Sequence, residues 1–497
     1  MRRSAPEAFL DDLALDRSAV EPLAVQIARR IRDLVMSGGL RRGVRLPASR
    51  RLADALGVSR TTVVAALDIL LAEGFVEGRH GSGTFIAADL PADRLAGARR
   101  RARPAAGPTL SARGAALAGT PEPPPGLRPF TPGVPSLDAF PFEEWRRSLA
   151  RAQRLHGRAL LSLADPCGWR PLREAIAAHL GPARGVVCDA GQVTILASAR
   201  QSMALAGRFL ADPGERVWIE DPGYPESRAA FLAVGLEPVP VPVDADGIDV
   251  AAGRRAAPDA RLAFVTPSHQ YPLGAVMSLP RRLALLDWAR AAGAAVIEDD
   301  YDGEFRYGGR PITALYGLDG GDRVLYAGSF SKVMFPALRI AYLIAPARLS
   351  DALAASARAA VTQPPTLTQA ALAEFMAAGA LTGHIRRMRL LYRARRDALV
   401  GLLRRHLAGA LTVAPAEAGL HLVGQLAPGL DDRAVAAAAA AEGLGAVPLS
   451  RFVVGRARPN GLLLGYGAHD AAALGVAVRR LARAIDRAGR KVVRRSR

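Results

Sequence analysis

Only two of the 66 basic residues in the chain are lysine, Lys332 and Lys491. Arginine serves as well for a surface charge, but its guanidinium stays protonated and cannot form a Schiff base. Lys491 lies in a basic stretch, AGRKVVRRSR, that reads as solvated charge. Lys332 lies in GSFSK, directly after an apolar run, and asks for a chemical reason. A lysine amine condenses with an aldehyde cofactor, of which pyridoxal phosphate (PLP) is the common one. Such a site needs a carboxylate against the pyridine nitrogen, and Asp299 in VIEDDYDGEF suits that role. It needs a donor at the phenolic oxygen, which Tyr301 could supply, and an aromatic over the ring, for which Tyr224 in EDPGYP is the candidate. It also needs phosphate donors. Ser329 and Ser331 flank the lysine, Arg339 follows, and Ser198-Ala199-Arg200 opens a helix whose N–H groups and dipole favour an anion. Singly, each string is what an ordinary turn supplies. Four of them in one chain, with one interior lysine, form a constellation.

Four short apolar runs precede these strings, at 217–219, 262–265, 295–297 and 324–326. Each reads as a sheet strand covered on both faces, and each ends in polar punctuation: EDPGYP, TPSHQYPLG, EDDYDGEF and GSFSK. Ligands of open α/β sheets bind beyond the carboxyl ends of the strands, so all four strings are expected around one crevice. The fold class expected from about 128 onward is α/β, a mostly parallel sheet with helices on both faces. No GxxxxGK phosphate loop or internal repeat interrupts it.

Residues 17–87 read differently. A helix opening at Pro22 carries Leu23, Ile27, Ile31 and Leu34 at helical spacing until Gly38-Gly39 stops it. Ser49 is expected to cap a second helix ending before Gly57, and Ser59 a third with Val63, Leu67 and Leu70 inward. FVEGRHGSGTFI then reads as a hairpin, which completes a winged helix-turn-helix. A recognition helix offers its first turn to base edges, here Ser59, Arg60, Thr61 and Thr62. Arg50 opens the preceding helix, and Arg79, His80, Gly81 and Ser82 sit at the wing tip. The competing reading, solvated arginines on a small helical bundle, serves for any one of them alone. Between the two regions, 88–127 holds an arginine run and then TPEPPPG, and reads as a flexible linker without packed structure.

Composition bounds the rest. A chain of 497 residues and 52.3 kDa, 50% hydrophobic and 23% charged, has material for several domains and is not disordered. Its net charge of +20 favours a polyanionic partner. The longest apolar run, 434–441, is far short of the ~20 residues a membrane span needs. Acids in MRRSAPEAFLDDLALD occupy the place of a signal sequence's apolar stretch. Two cysteines cannot build a disulfide framework, and no Cys/His cluster has zinc spacing. The expectation is a cytoplasmic, metal-free protein.

The stretch LPASRRLADALGVSRTTV, with the GSGTF wing, resembles the GntR-type winged helix-turn-helix. By that resemblance the DNA contacts fall on Arg50, Ser59, Arg60, Thr61, Thr62, His80 and Gly81. The region 128–497 resembles fold type I aminotransferases, with a smaller C-terminal subdomain. In detail it is similar to the MocR branch of GntR regulators, through FTPGVPSLDAFPFEEW, LREAIAAHL, TPSHQYPLGAVMSLPRR and LLLGYG. The resemblance implies that Lys332 carries PLP, that Asp299 partners the pyridine, and that Tyr301 and Gln270 bond the ring oxygen. His269, beside Gln270, reads as structural. Two positions depart from active aminotransferases. The slot of the arginine that holds a substrate α-carboxylate reads Gly461, with Arg456 and Arg458 only nearby, and a tyrosine expected near LLSLADPCGW reads Leu163. The reading is a PLP-dependent transcription regulator whose operator DNA binding answers to an amino compound or to PLP itself. The rival is a working aminotransferase, a transferase with a tethered DNA-binding domain. A third reading, a DNA-binding protein with a dead PLP fold, leaves the retained Lys332 unexplained. The resemblance also implies a homodimer, in which the 88–127 linker could place each winged head over the partner in a head-to-tail swap.

Overall fold

A computed structural model describes residues 13–79, 82–89, 109–118, 126–162, 165–308, 313–360, 363–414 and 416–495. The chain divides into two compact units, Met1–Thr109 and Leu110–Arg497.

In the smaller unit, α1 (Leu23–Ser37), α2 (Ser49–Leu56) and α3 (Arg60–Ala72) close over Ile27, Ile31, Leu52, Val63, Ala66 and Leu70, all fully buried. Pro22 is the residue before α1, and Gly38 ends it in the left-handed region at φ 81°. That conformation costs a glycine little, because it has no Cβ to clash with the preceding turn. Ser59 caps α3 as expected, its Oγ accepting from Thr62 N at 3.1 Å. Ser49 does not cap α2. Ala48 holds the cap position, and the Ser49 hydroxyl, one residue into the helix, accepts from Arg60 Nε instead. The axes of α2 and α3 differ by 116°, within the range of a helix-turn-helix. Strands β1 (Val76–Arg79) and β2 (Gly83–Ile86) pair antiparallel as the wing, and Arg45 bridges to Phe85 along its other edge. Leu13 adds itself to this core from ahead of residue 17.

The linker reading changes at one place. Ala112–Ala118 form a helix in the larger unit, resting on Pro225–Ala233. ARGAALA has the helix propensity for it, and Ser111 Oγ accepts from Gly114 N at 3.0 Å as a cap would. The arginine run and TPEPPP lie outside the described residues.

The larger unit carries an eight-stranded sheet of β3 (Val193–Leu196), β4 (Arg216–Asp221), β5 (Glu237–Asp244), β6 (Gly247–Ile248), β7 (Leu262–Val265), β8 (Ala295–Asp300), β9 (Val324–Ser329) and β10 (Ala341–Ile344), in the order β3-β10-β9-β8-β7-β4-β5-β6. The four strands expected from sequence are β4, β7, β8 and β9. They are consecutive neighbours and mutually parallel, so their carboxyl ends share one edge. Strands β3 and β10 close one side antiparallel. A second sheet of β11 (Leu411–Val413), β12 (His421–Leu426), β13 (Val447–Pro448) and β14 (Gly461–Gly465), in the order β11-β12-β14-β13, forms the C-terminal subdomain with Ala380–His406 and Ala471–Arg495. Phe130, itself at φ 72°, bridges to Gly465. That bridge brings the segment after it back to the sheet edge. Among the described residues, no single helix is long and apolar enough to cross a membrane.

Candidate functional site

A cavity of about 370 Å³ opens at the shared strand edge. Ser198, Ala199, Arg200, Tyr224, Asp299, Tyr301, Ser329, Ser331, Lys332 and Arg339 all line it. Of the residues proposed for the cofactor, only Gln270 stands apart.

Lys332 Nζ donates to the Gly133 carbonyl at 2.7 Å. Desolvation lowers its pKa from the ordinary value, against the pull of Asp302, Glu226 and Asp299. A lowered pKa enlarges the neutral, nucleophilic fraction of the amine. Gly133 has φ +68°, a conformation that favours glycine, and a Cβ there would lie 2.6 Å from Nζ and displace the amine.

The EDD run on β8 splits by strand alternation. Glu298 accepts from Leu315 N and Tyr316 N, and Asp300 binds Arg184 at 2.5 Å and the Tyr326 hydroxyl at 2.6 Å. Asp299 points the other way. It is 4% exposed, and its Oδ1 is buried without a hydrogen-bond partner. Burial, then the nearby Asp300, Asp302 and Glu220 carboxylates, push its pKa up to about 8. An unpartnered buried carboxylate oxygen on a cavity wall is costly unless a donor comes to it. A protonated pyridine nitrogen supplies both the missing hydrogen bond and the missing positive charge.

His269 Nδ1 lies 2.9 Å from Asp302 Oδ2 and 2.9 Å from the Tyr301 hydroxyl. One ring nitrogen cannot donate to the carboxylate and also accept from Tyr301. The charged acceptor takes the proton, which leaves the Tyr301 hydroxyl free for a ring oxygen in the cavity. His269 is 4% exposed and outside the cavity wall, as a structural residue would be. It is packed so closely that a Cβ on Gly419, at φ +85°, would fall 2.1 Å from its Cε1.

At the opposite end, Ser198 caps the Ala199–Leu210 helix, Ser329 Oγ accepts from Ser331 N at 3.1 Å, and Arg339 sits at φ 53° beside the cavity. A non-glycine residue held left-handed is uncommon and clusters at functional sites. Helix N-terminus, two hydroxyls and two arginines make a suitable phosphate cradle. Tyr224 stands in the wall, edge-on to Tyr271 at 5.6 Å. The donor set as a whole fits PLP.

Gln270 is a correction. It is 1% exposed, and the two hydrogens of its Nε2 are shared among Tyr271 O at 2.7 Å, Pro222 O at 2.9 Å and Glu220 Oε2 at 3.2 Å, while Leu273 N donates to its Oε1. The buried Glu220, whose pKa burial pushes up to about 7, needs that amide. Its neighbour Tyr271 lines the cavity instead. Sequence reasoning also passed over Gly133, Glu226, Asp302 and His421 in the wall. Gly133 and Asp302 stood inside strings already noted, FTPGVP and EDDYDGEF, whereas nothing marked His421.

Gly461 opens β14, and a Cβ there would be 2.5 Å from the Gly424 carbonyl, so the slot holds no side chain at all. Arg456 and Arg458 are exposed and outside the cavity wall, the latter donating to carbonyls of its own loop. Leu163 lies outside the described residues.

In the winged unit, Arg50, Ser59, Arg60 and Thr61 are exposed and Thr62 half-buried. Ser59 Oγ meets the Thr61 and Thr62 hydroxyls at 3.1 and 2.8 Å, and Arg60 Nε donates to Ser49 Oγ at 3.2 Å, which fixes the first turn of α3 against α2. His80 and Gly81 lie outside the described residues. Arg79 of the wing is stacked on Phe85 at 4.7 Å and paired with Glu77.

Fold and site together define a helix-turn-helix regulator fused to an aminotransferase-type PLP domain. Residues 23–86 match the gntR family of bacterial regulatory proteins, and residues 130–481 match the aminotransferase class I and II family. The chain is 40% identical over 460 residues to a probable rhizopine catabolism regulatory protein, MocR, of Rhizobium meliloti, covering 92% of each. It is 35% identical over 475 residues to the pyridoxine biosynthesis transcriptional regulator PdxR of Corynebacterium glutamicum, covering 93% of this chain and 96% of that one. The structure of LysN, an alpha-aminoadipate aminotransferase of Thermus thermophilus complexed with N-(5'-phosphopyridoxyl)-L-leucine, matches 72% of this chain and 91% of its own at TM-score 0.65 and 29% identity. The chain belongs to the MocR-type branch of the GntR family, DNA-binding transcription regulators with a PLP-dependent, aminotransferase-like domain.

Proposed function

We propose that this regulator works in the cytoplasm as a homodimer whose operator binding is set by the occupancy of the Lys332 cavity. The observation that carries the reading is the orphaned Asp299 Oδ1 in the same wall as a desolvated lysine, within a chain that also bears a recognition helix. PLP supplies an aldehyde that condenses with amines and a ring that draws electrons. The chain's own residues hold and tune it. Lys332 presents the amine, Asp299 takes the pyridine N–H, and Tyr301 donates to the ring oxygen. Ser198, Ala199, Arg200, Ser329, Ser331 and Arg339 hold the phosphate, and Tyr224 flanks the ring. The effector is an amino compound that reacts at PLP, or PLP itself. Either acts only by favouring one of two arrangements of the dimer over the other. Arg50, Ser59, Arg60, Thr61 and Thr62, with His80 and Gly81 at the wing, meet one half-site per subunit. Two half-sites then require two copies, for which we propose a head-to-tail swap.

Turnover as an aminotransferase is the weaker reading, because the arginine position for a substrate carboxylate is a glycine with no room for a side chain. The test is borohydride reduction of the PLP-loaded protein with peptide mapping, followed by gel-shift on the gene's own upstream DNA with and without PLP. Label on Lys332 and a PLP-dependent shift are expected. Label on Lys491, or no specific DNA binding under either condition, overturns the proposal, and a monomer by light scattering overturns the dimer.

A further inference from the structure

We infer that the effector is an amine bearing hydroxyl or further amino groups and no carboxylate beside the reacting nitrogen, and that His421 is the residue that selects it. The inference rests on the cavity reading above and goes on to name the chemistry of the ligand.

Once a phosphate occupies the cradle of Ser198, Ser331, Arg200 and Arg339, both cavity arginines are committed to it. What remains around Lys332 is acidic or neutral. The carboxylates acting on the Lys332 amine are Asp302, Glu226 and Asp299, in that order. Glu226 also bears on Tyr224 and Tyr271, and Asp302 on Tyr271 and His421, and all five line the cavity. Strand β14 adds no cation there. Its Leu463 packs with Leu449 and Phe452 against Tyr271, and the wall between Gly461 and Gly424 is closed by backbone. The loop before it is tied back by Val454 N and Gly455 N, which donate to Asp221 at 2.8 and 3.0 Å, and Arg456 and Arg458 follow that loop outside the wall. Arg451 is not in the cavity wall but lines a neighbouring groove that shares Tyr224 with it, and its charge acts on Tyr271 against that of Glu226.

His421 decides the sign of the recognition. Its Nε2 lies 3.1 Å from the Pro272 carbonyl, which can only accept, so Nε2 carries the proton. The other nitrogen, Nδ1, is then an acceptor on a residue that lines the cavity. Burial, reinforced by the adjacent His269, pushes the pKa of His421 down to about 3, so near neutrality the ring cannot convert to a donor. A carboxylate placed here meets a lone pair and two carboxylates with no compensating charge. A hydroxyl or ammonium donates to Nδ1 and to Glu226.

The test uses the full-length protein loaded with PLP and pairs of amines that differ only in the carboxylate: serinol against L-serine, and ethanolamine against glycine. Dissociation constants are read by calorimetry and by the visible absorbance of the cofactor. Each carboxylate-free amine is expected to bind at least about tenfold tighter than its partner, the scale of one buried hydrogen bond gained against one like charge avoided. His421→Leu is expected to weaken serinol about tenfold and leave L-serine unchanged. Glu226→Gln, at a less buried position, should narrow the gap from both sides. Equal or tighter binding of L-serine overturns the inference, as does an unaltered preference in both variants. Failure of every amine to bind, while PLP is on Lys332 and alters operator binding, overturns it too but leaves the regulator reading standing. Absence of PLP on Lys332 is the separate result that removes that reading.

Discussion

In the winged unit, five of the residues read as DNA contacts fall between positions 50 and 62, four of them exposed, on or beside two helices joined by a short turn, with Ser59 capping the second. In the larger unit, Lys332 bonds a carbonyl 199 positions away, and the wall around it draws on the ends of β4, β7, β8 and β9, the Ala199–Leu210 helix and the start of β12. The first site is a local surface and acts through groups already in water. The second is an interior whose chemistry comes from desolvation: a lysine lowered, and an aspartate raised to about 8. A local surface can be damaged one contact at a time, whereas an interior fails as a set.

The comparison breaks most sharply at Lys332→Ala. PLP absorbance and borohydride labelling should vanish, and effector response with them, while the dimer and basal operator binding persist. Loss of basal DNA binding would mean that the two sites are not separable. Arg60→Ala is the converse, with an expected loss of about 1–3 kcal/mol of operator affinity and a smaller salt slope while PLP absorbance stays normal. Unchanged affinity and slope in a salt-series gel shift would displace the contact surface from α3.

Asp299→Asn tests desolvation directly. The carboxyl holds its proton more tightly in the folded chain, at about 8, than in the unfolded one, at ~3.9. Its contribution to stability is therefore complete below about pH 4 and lost as pH rises through 8. Without PLP, the substituted protein should become increasingly more stable than the parent as pH rises across that window, measured as the difference in Tm. With PLP the order should reverse, because the ring needs the carboxylate. A pH-independent difference would deny the raised pKa. The smallest effect expected is Ser59→Ala, about 1 kcal/mol from the winged unit's stability through the lost cap, read as a shift in its own unfolding transition with the larger unit's unchanged.

Much of this was legible in the sequence because of how local each signal is. The α3 cap, the glycine stops and the two-strand wing depend on contacts within a few residues, so Ser59, Gly38 and Gly57 announce them. The four buried strands announce themselves by composition, and polar strings at their ends must share an edge once the strands are parallel neighbours. A single interior lysine in a chain otherwise written in arginine marked the reacting group.

What only the tertiary structure decided is which way neighbouring side chains face and what they meet. Asp299 and Asp300 are adjacent in sequence, yet pleating sends one to the cavity and the other to Arg184. Tyr271 takes the place in the cavity wall expected of Gln270, whose amide is held by Glu220 and two backbone carbonyls. Ala112–Ala118, a sequence that could be linker, becomes a helix because Pro225–Ala233 offers it a surface. His421 enters the cavity only because β12 pairs with β14 in one register, setting His421 opposite Gly465, which Phe130 also bridges. Burial and register join residues hundreds of positions apart, and no short window of sequence contains both partners.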